Sequence, residues 1–476
     1  MSRAISKLSL IVSTSFLLVS CGEGQVSAPQ KTDDQLAVDA LFGEWDKPGS
    51  PGASVAIIRE GKIDYSSAYG EAQVEYGIPI TPETIFHVAS ITKQFTAFGI
   101  ALLAERGELD LDDDIRKYIP EVPEFGTTIT LRQLGHHTSG LRDQWSLLGL
   151  GGWRLDDVIT LPQVMKLIER QEALNFPPNS KYTYSNTGFT LMAETIARVG
   201  GKPFPIWMEE NVFLPLGMDN TLIYDDHEKI VNNRAYSYRL GEDGLKKAVL
   251  SYAVAGATSL FTTADDLSIW LNNYSTMQVG GEAVNTIMKT KGILNSGEEI
   301  EYAFGVENSE YRGLNTLGHG GADAGFRSNV IYFPEHKLGV TVLSNLASFD
   351  PGGLARKIAD IYLGEHMTPL EDKGAPVETE VLEAVEVSSD VLNAYVGDYY
   401  SRELETTYRV KIKDGGLIAV HSRHPDITLK ALGMDLFNAS AWFFGETTFE
   451  RNEAGDVSVM SVSSGRVTDL KFEKIK

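Results

Sequence analysis

Apolar and polar residues follow regular periods in separate stretches of the chain, and these periods predict its secondary structure. A helix is predicted to begin at Asp33 or Asp34. Its buried side would carry four apolar residues, Leu36, Leu41, Phe42 and Trp45. Alternating apolar residues at 53–59 and 62–69 then predict a hairpin of two strands.

A long apolar stretch from Ser90 to Arg106 predicts a helix that ends before Gly107. Further along the chain, residues 327–333 and 338–344 have the composition of two strands, and a helix is predicted near residues 353–362. This part of the chain is therefore predicted to combine helices with antiparallel strands.

The pattern changes towards the carboxyl terminus. Residues 366–390 contain proline and many acids but little apolar periodicity, so we interpret them as a linker. Short alternating runs follow at 408–413, 417–421, 427–432, 442–444, 457–462 and 467–472. Short strands at such close spacing predict a small antiparallel barrel.

The composition narrows the possible functions. A chain of 476 residues is long enough for two or three domains. With 42 Lys and Arg against 65 Asp and Glu, its formal net charge is −23, which argues against a protein that binds nucleic-acid phosphates. One cysteine can form neither an intramolecular disulfide nor a metal site built of thiolates.

The amino terminus has the composition of an export signal. Arg3 and Lys7 precede the apolar stretch Leu8–Val19, which is too short to span a bilayer. The tetrad Leu18-Val19-Ser20-Cys21 resembles a bacterial lipobox, in which the cysteine is acylated and becomes the first mature residue. By analogy, Gly22 favours the outer over the inner membrane. The alternatives are a plain secretory signal with an incidental cysteine, or a short membrane anchor.

Ser90 and Lys93 form the only Ser-x-x-Lys in the chain, with both side chains on one helix face. A serine hydroxyl is a weak nucleophile that needs an adjacent base. Lysine can be that base if burial or a nearby cation lowers its pKa. The start of a helix also offers N–H groups to a developing oxyanion. The alternative is a capping serine beside a solvent-facing lysine.

Two further segments contain residues that are candidates for catalysis or substrate binding. Tyr184 and Asn186 follow the turn Pro177-Pro178-Asn179, which can place Tyr184 on a loop facing a cleft. A tyrosine near an ammonium can act as phenolate or proton relay, and an amide can hold a substrate carbonyl. In Gly318-His319-Gly320-Gly321-Ala322, glycines would let a substrate approach a sheet edge, where an N–H could complete an oxyanion hole. Alternatively, Tyr-x-Asn occurs by chance and His-Gly-Gly is only a turn.

In this order and at these separations, the elements resemble the serine β-lactamase and penicillin-binding-protein-like superfamily. The class C-type group, which includes D-aminopeptidases, DD-peptidases and carboxylesterases, is the most similar. Four segments add support: Thr84-Ile85-Phe86, His137-Thr138-Ser139-Gly140-Leu141, Ala257-Thr258-Ser259 and Thr262–Leu267. The resemblance covers residues 35–365 and implies an α+β fold, a mostly antiparallel sheet flanked by helices with a helical lobe.

The tail from Tyr395 onward resembles the lipocalin-like barrels appended to some of these hydrolases. It would serve as a lid, a specificity module or an oligomerisation module. The predicted organisation is a signal peptide at 1–20, a lipid-anchored tether at 21–34, a hydrolase domain at 35–365, a linker at 366–390 and a barrel at 391–476.

The resemblance implies acyl transfer through a covalent acyl-enzyme, with no cofactor or metal. Ser90 would attack the carbonyl of an ester, amide or short peptide, and Lys93 and Tyr184 would move the proton. The main-chain N–H groups of Ser90 and Ala322 would bind the oxyanion. The substrate would be bound by Asn186, His319, Gly320, Gly321 and Ala322. We expect His137 to have a structural role.

One departure from the family pattern bears on the substrate. True β-lactamases and DD-peptidases usually have Lys-Thr-Gly where this chain has His319-Gly320-Gly321, and a histidine binds a carboxylate less well at neutral pH. This favours an esterase or D-aminopeptidase, with only weak β-lactam hydrolysis. A genuine class C-type β-lactamase or DD-carboxypeptidase is one alternative, and a non-catalytic surface lipoprotein that uses the fold to bind is another. The chain has neither the Gly-x-Ser-x-Gly of α/β-hydrolases nor the His-Glu-x-x-His of zinc enzymes.

Overall fold

The computed structural model describes residues 30–369, 385 and 387–475. The predicted signal peptide, Cys21 and most of the predicted linker lie outside these residues, and the domain boundaries stay predictions. The helices within the described residues are α1 (Asp33–Phe42), α2 (Thr92–Glu105), α3 (Leu131–Gly135), α4 (Gln144–Leu150), α5 (Leu161–Glu169), α6 (Asn186–Gly200), α7 (Phe204–Met208), α8 (Leu214–Leu216), α9 (Ala264–Thr276), α10 (Gly281–Lys289), α11 (Pro351–Leu363) and α12 (Ser389–Leu392).

The strands of the first domain form one main sheet and several small ones. They are β1 (Ala53–Arg59), β2 (Lys62–Tyr69), β3 (Glu71–Gln73), β4 (Ile78–Pro79), β5 (Phe86–His87), β6 (Leu222–Ile223), β7 (Ser237–Gly241), β8 (Gly244–Ala248), β9 (Leu260–Thr262), β10 (Glu307–Tyr311), β11 (Leu314–Asp323), β12 (Phe326–Phe333) and β13 (Leu338–Ser344). The main sheet has the order β10-β11-β12-β13-β1-β2, and all its pairs are antiparallel.

The sheet is covered on both faces, and strand β1 shows why. Side chains alternate across a strand, so Val55 and Ile57 point to one face and Ala56 and Ile58 to the other. The first pair packs in the cluster that contains α1 and α11 residues, while the second packs with α2 and α9. Strand β1 is therefore apolar almost throughout, as a strand buried on both faces must be.

Most predicted elements of this domain are confirmed within a residue or two. The β1–β2 hairpin forms at Glu60 and Gly61, whose φ angles of 50° and 78° fit a two-residue hairpin turn. The predicted helix at Asp33 is confirmed, with Thr32 as its capping residue. The prediction that Leu36 is buried was wrong, because the side chain is 53% exposed and Val38 occupies the core with Phe42.

The carboxyl-terminal domain is the predicted antiparallel barrel. Its strands are β14 (Gly397–Ser401), β15 (Thr406–Lys413), β16 (Gly416–Val420), β17 (Ile427–Gly433), β18 (Leu436–Ala441), β19 (Phe444–Arg451), β20 (Val457–Ser464) and β21 (Val467–Lys474). Pairing of β14 with β21 closes the ring. The predicted strand at 442–444 is confirmed only at Phe444, where β19 begins. Trp442 lies in the turn between β18 and β19, where it is 57% exposed.

The barrel is joined to the first domain by a buried ion pair. Arg142 and Glu403 are 2.5 Å apart, and their side chains are 3% and 6% exposed. Arg142 also donates to the carbonyl of Thr468, 3.0 Å away on β21. The main-chain N–H of Asp143 donates to the carbonyl of Arg466 at 3.1 Å. The β20–β21 turn is thus fixed beside residues 142–143 of the first domain.

Candidate active site

Ser90 lies immediately before helix α2, in a 3-10 turn formed by Ala89–Ile91. The helix itself begins at Thr92, two residues later than the sequence predicts. Ala89 has a φ of 49°, a left-handed conformation that is strained for a residue with a β-carbon. The serine is held at a sharp turn on the wall of the main cavity, of about 790 Å³.

Lys93 is fully buried one turn after Ser90. Its Nζ lies 3.2 Å from Ser90 Oγ, 2.8 Å from Asn186 Oδ1 and 2.7 Å from the carbonyl oxygen of Ala257. The amide and carbonyl oxygens can only accept hydrogen bonds, so Lys93 donates to both. A neutral amine has two N–H groups for these bonds, which leaves its lone pair for Ser90.

The surroundings of Lys93 favour that neutral amine. Burial lowers the pKa of Lys93 well below its ordinary value. The charge of Asp143 opposes this lowering of the pKa, the guanidinium of Arg466 reinforces it, and Asp323 opposes it. Burial therefore dominates, and two acids and one barrel arginine adjust how readily Lys93 can accept a proton.

Asn186 is oriented by Asp143, a residue that the sequence did not single out. Asp143 Oδ2 accepts hydrogen bonds from both the main-chain N–H and the side-chain Nδ2 of Asn186, each at 2.7 Å. These bonds turn Asn186 Oδ1 towards Lys93. The other oxygen, Oδ1, caps helix α4 by accepting from the N–H groups of Trp145 and Ser146. One buried carboxylate thus fixes both a helix end and an amide of the site.

Tyr184 lies on a loop before helix α6, as predicted, with its ring centroid 4.8 Å from Lys93 Nζ. Burial raises the pKa of the Tyr184 hydroxyl above its ordinary range, and a hydrogen bond with Ser90 opposes this rise only in part. The hydroxyl is accordingly a neutral phenol in the resting site. Of the two roles open to it from sequence, a proton relay fits this environment and a resting phenolate does not.

The segment His319–Ala322 belongs to strand β11 and is not a turn. A β-carbon added to Gly321 would lie 2.3 Å from both Ser328 Oγ and the carbonyl oxygen of Val88. Only glycine lets the strand come this close to the turn that carries Ser90. This contact places the backbone at 320–322 on the same cavity wall as Ser90.

His319 is buried and neutral. Burial lowers the pKa of its imidazole to about 3. Nδ1 lies 2.6 Å from the carbonyl oxygen of Gly320, an acceptor, so Nδ1 carries the hydrogen. Nε2 then accepts from the Tyr302 hydroxyl at 2.9 Å. His319 therefore offers no positive charge to a substrate carboxylate, which agrees with the expectation drawn from the missing Lys-Thr-Gly.

The barrel supplies part of the cavity wall. Trp442 and Arg466 line it together with Ser90, Tyr184 and Asn186 of the first domain. The Arg466 guanidinium carbon lies 4.9 Å from the centroid of the Tyr184 ring. A residue more than 280 positions from Tyr184 in sequence thus contacts it, which no local pattern could predict.

The structure brings together every candidate site residue that lies in the first domain. They line the main cavity or contact a residue that does: Ser90, Lys93, Tyr184, Asn186, His319, Gly320, Gly321 and Ala322. His137 packs against the Tyr184 ring at 4.1 Å between centroids and accepts from the N–H of Ser185. Their roles in a reaction stay predictions. Sequence reasoning missed Asp143 and Arg466.

Neither a cluster of metal ligands nor a membrane-spanning helix is found among the described residues. No group of three or more histidine, cysteine, aspartate or glutamate side chains within them is arranged to hold a metal ion. In the same part of the chain, no helix combines the length and hydropathy needed to cross a bilayer.

Known proteins are similar to this chain in both sequence and fold. A D-aminopeptidase of Gluconobacter oxydans (strain 621H) is 27% identical over 383 residues, which are 80% of this chain and 68% of that protein. The octameric penicillin-binding protein homologue from Pyrococcus abyssi is 24% identical, with a TM-score of 0.61 over 92% of this chain and 99% of that one. D-amino acid amidase from Ochrobactrum anthropi SV3 is 23% identical, with a TM-score of 0.60 over 70% and 100%.

The profile of the Beta-lactamase family matches residues 38–363, more than half of the chain. The match runs from within α1 to the end of α11 and so includes the Ser90 turn, the Tyr184 loop and strand β11. Together with the fold, this confirms the resemblance found in the sequence: the chain belongs to the beta-lactamase family of serine hydrolases.

Proposed function

We propose that this protein hydrolyses amide or peptide bonds of D-amino-acid compounds through an acyl-enzyme on Ser90. The observation that carries the proposal is the buried Lys93, 3.2 Å from Ser90 Oγ and with acceptor-only oxygens at 2.8 and 2.7 Å. A lysine held in this way is a base for a serine nucleophile. The D-aminopeptidase and D-amino acid amidase among its relatives support the substrate class.

In the first step, Ser90 Oγ attacks the substrate carbonyl carbon while its proton passes to the neutral Lys93. The negative charge on the carbonyl oxygen is stabilised by the N–H groups of Ser90 and Ala322. Asn186, held by Asp143, positions the acyl group. The Tyr184 hydroxyl relays a proton to the leaving amine as the C–N bond breaks. Water then attacks the ester bond of the acyl-enzyme by the reverse of these proton transfers, and Ser90 regains its proton.

The neutral His319 bears on the choice among substrates. Its pKa of about 3 removes the positive charge with which a lysine at this position would bind a β-lactam or peptide carboxylate. We therefore propose a D-aminopeptidase, amidase or esterase, with slow β-lactam turnover. Fast hydrolysis of nitrocefin would instead support the alternative, a genuine β-lactamase.

The test combines a covalent probe with a substrate panel. A fluorophosphonate should label the wild-type protein and not Ser90→Ala. Ser185→Ala is the matched control, because the buried Ser185 hydroxyl has no hydrogen-bond partner among the described residues. D-amino-acid amides, D-Ala-D-Ala peptides, p-nitrophenyl esters and nitrocefin then rank the reactions. Equal labelling of Ser90→Ala would refute the proposal, and neither labelling nor turnover by the wild type would favour a binding protein.

We also propose that Cys21 is acylated and that its acyl chains anchor the protein in the bacterial envelope, at the outer membrane. The proposal rests on the tetrad Leu18-Val19-Ser20-Cys21 after a short apolar stretch. The acidic chain would be repelled by anionic lipid, so acyl chains would have to provide the attachment. Labelled palmitate should enter the wild-type protein and not Cys21→Ala. A wild-type protein that stays unlabelled would refute it.

A further inference from the structure

A second cavity continues from the main one. It has a volume of about 440 Å³ and lies between the barrel and the β7–β8 hairpin. Leu155, Asp323 and Trp442 line both cavities. Each cavity alone is within the range of about 300–1,000 Å³ that holds a drug-sized ligand. The cleft is thus longer than a single amino-acid amide requires.

Three exposed apolar side chains line the second cavity, two of them where it meets the main one. Leu155, Trp442 and Val249 are 39%, 57% and 45% exposed. They come from the first domain, the barrel and the segment after β8, respectively. Large apolar side chains that gather at the mouth of a cleft are typical of a surface covered by a ligand.

A free strand edge leads from Ser90 into this cavity. Strand β10 pairs with β11 only up to Gly318, so within the described residues segment 319–323 is paired with β12 alone. Asp323 and Ala324, at the far end of this segment, line the second cavity. An extended peptide can bind such an edge as an additional strand.

The direction of that peptide follows from the sheet. Every strand pair in it is antiparallel, and antiparallel pairing is slightly more stable per residue than parallel pairing. Segment 319–323 runs from the Ser90 site towards the second cavity. A peptide bound antiparallel to it runs the opposite way, so residues on the amino-terminal side of the cleaved bond extend into the second cavity.

The charges around the second cavity favour an acidic group in such an extension. Arg154 pairs with Asp156 at 2.6 Å, and Lys247 lies 3.6 Å from Glu75. Arg239 has no acidic partner within ion-pair distance in the described part of the chain. The cavity is lined by three cationic side chains and two acidic ones, since Asp156 and Asp323 face Arg154, Arg239 and Lys247. A substrate carboxylate beside Arg239 would therefore meet a net positive charge.

We propose that the second cavity, which we call the Trp442 groove, binds an amino-terminal extension of the substrate. The extension has an apolar side chain against Leu155, Trp442 and Val249, and an acidic residue beside Arg239. The inference rests on the proposed function for its position relative to the cleaved bond. Of the activities proposed above, it favours an amidase that acts on acylated peptides of several residues over an aminopeptidase, whose substrates have no such extension.

Binding to the inactive Ser90→Ala protein tests the groove without relying on catalysis. Calorimetry would compare D-Ala-D-Ala with acetyl-Leu-D-Ala-D-Ala and acetyl-Glu-Leu-D-Ala-D-Ala. We expect the leucine to tighten binding by about tenfold or more, as burial of one large apolar side chain allows. Adding Trp442→Ala should remove this gain, and Trp442→Phe should retain part of it. Met434→Ala is the control, because Met434 is 76% exposed in the same barrel and lines neither cavity.

Equal binding of the three peptides, or an undiminished gain in the Trp442→Ala protein, would refute the groove. Kinetics of the active protein address the function separately. For wild type, kcat/KM should rise from D-Ala p-nitroanilide to acetyl-Leu-D-Ala p-nitroanilide, and Trp442→Ala should lower only the second value. If the extended peptide binds Ser90→Ala tightly and the wild type hydrolyses nothing, the groove is supported and the proposed hydrolase activity fails.

Discussion

The charges around Lys93 predict opposite shifts in the pH dependence of activity when they are removed. Arg466 lowers the pKa of Lys93, whereas Asp143 raises it. Lys93 must be neutral to accept the Ser90 proton, so the acidic limb of the kcat/KM profile reports its pKa in the free enzyme. Arg466→Gln should move this limb to higher pH. Asp143→Asn should move it to lower pH.

The size of the Arg466 effect depends on the distance between its guanidinium and Lys93. The Arg466 guanidinium carbon and Lys93 Nζ lie 4.9 and 4.8 Å from the centroid of the Tyr184 ring. The two cations are therefore within about 10 Å, where their repulsion is about 1.7 kcal/mol at an effective dielectric constant near 20. Because Arg466 is exposed, salt and water reduce this energy, and we expect a limb shift of about 0.5 to 1 pH unit.

Asp143 should have a comparable effect of opposite sign. Its carboxylate is separated from Lys93 Nζ by one amide group and two hydrogen bonds of 2.7 and 2.8 Å. The separation is at most about 8 Å, which corresponds to about 2 kcal/mol. Asp143→Asn also loses part of its hold on Asn186, so we expect kcat to fall by about tenfold or more. The pH at which the acidic limb of the kcat/KM profile lies does not depend on this decrease in kcat.

The assay is hydrolysis of an uncharged p-nitrophenyl ester between pH 5 and 10 at low and high salt. An uncharged substrate keeps Arg466 from acting through substrate binding. Arg423→Gln is the control, since this barrel arginine pairs with Asp157 at 2.7 Å and does not line the main cavity. Limbs that coincide in all proteins, or that move in the same direction in both variants, would refute this view of Lys93. The Arg466 shift should shrink at high salt.

Three other changes have predictable outcomes. Gly321→Ala should reduce kcat/KM by about a hundredfold or more, because the added methyl would lie 2.3 Å from Ser328 Oγ; full activity would contradict the close packing of β11. Arg142→Met should lower the free energy of unfolding by about 3–5 kcal/mol in denaturant titrations, since it leaves Glu403 buried without its partner. Arg142→Met combined with Glu403→Leu should regain most of that loss. Burial lowers the pKa of His136 to about 4, so the folded protein binds fewer protons than the unfolded chain, whose histidines titrate near 6.5. Stability should therefore fall as the pH drops below 6.5, and His136 accounts for about 1.4 kcal/mol at pH 5.5, measured as the smaller pH dependence of His136→Gln.

Local periodicity was sufficient for the secondary structure. The β1–β2 hairpin, helix α2, the β12–β13 pair and most barrel strands follow from alternation, apolar runs and turn residues. The sequence predictions for Leu36 and Trp442 were wrong for the same reason. Both are large apolar residues within apolar patterns, yet both are exposed, because burial depends on what the rest of the chain places opposite them.

The family and the pairing of Ser90 with Lys93 follow from the sequence alone, because the two residues are one helical turn apart and short-range geometry places them together. The pKa of Lys93 and the orientation of its partners depend on the tertiary structure. Asp143 is 43 residues from the amide it orients, and Arg466 contacts Tyr184 from another domain. The tertiary structure also keeps His319 neutral and places Trp442 in the cleft. Charge and burial act through space, over distances that sequence separation does not encode.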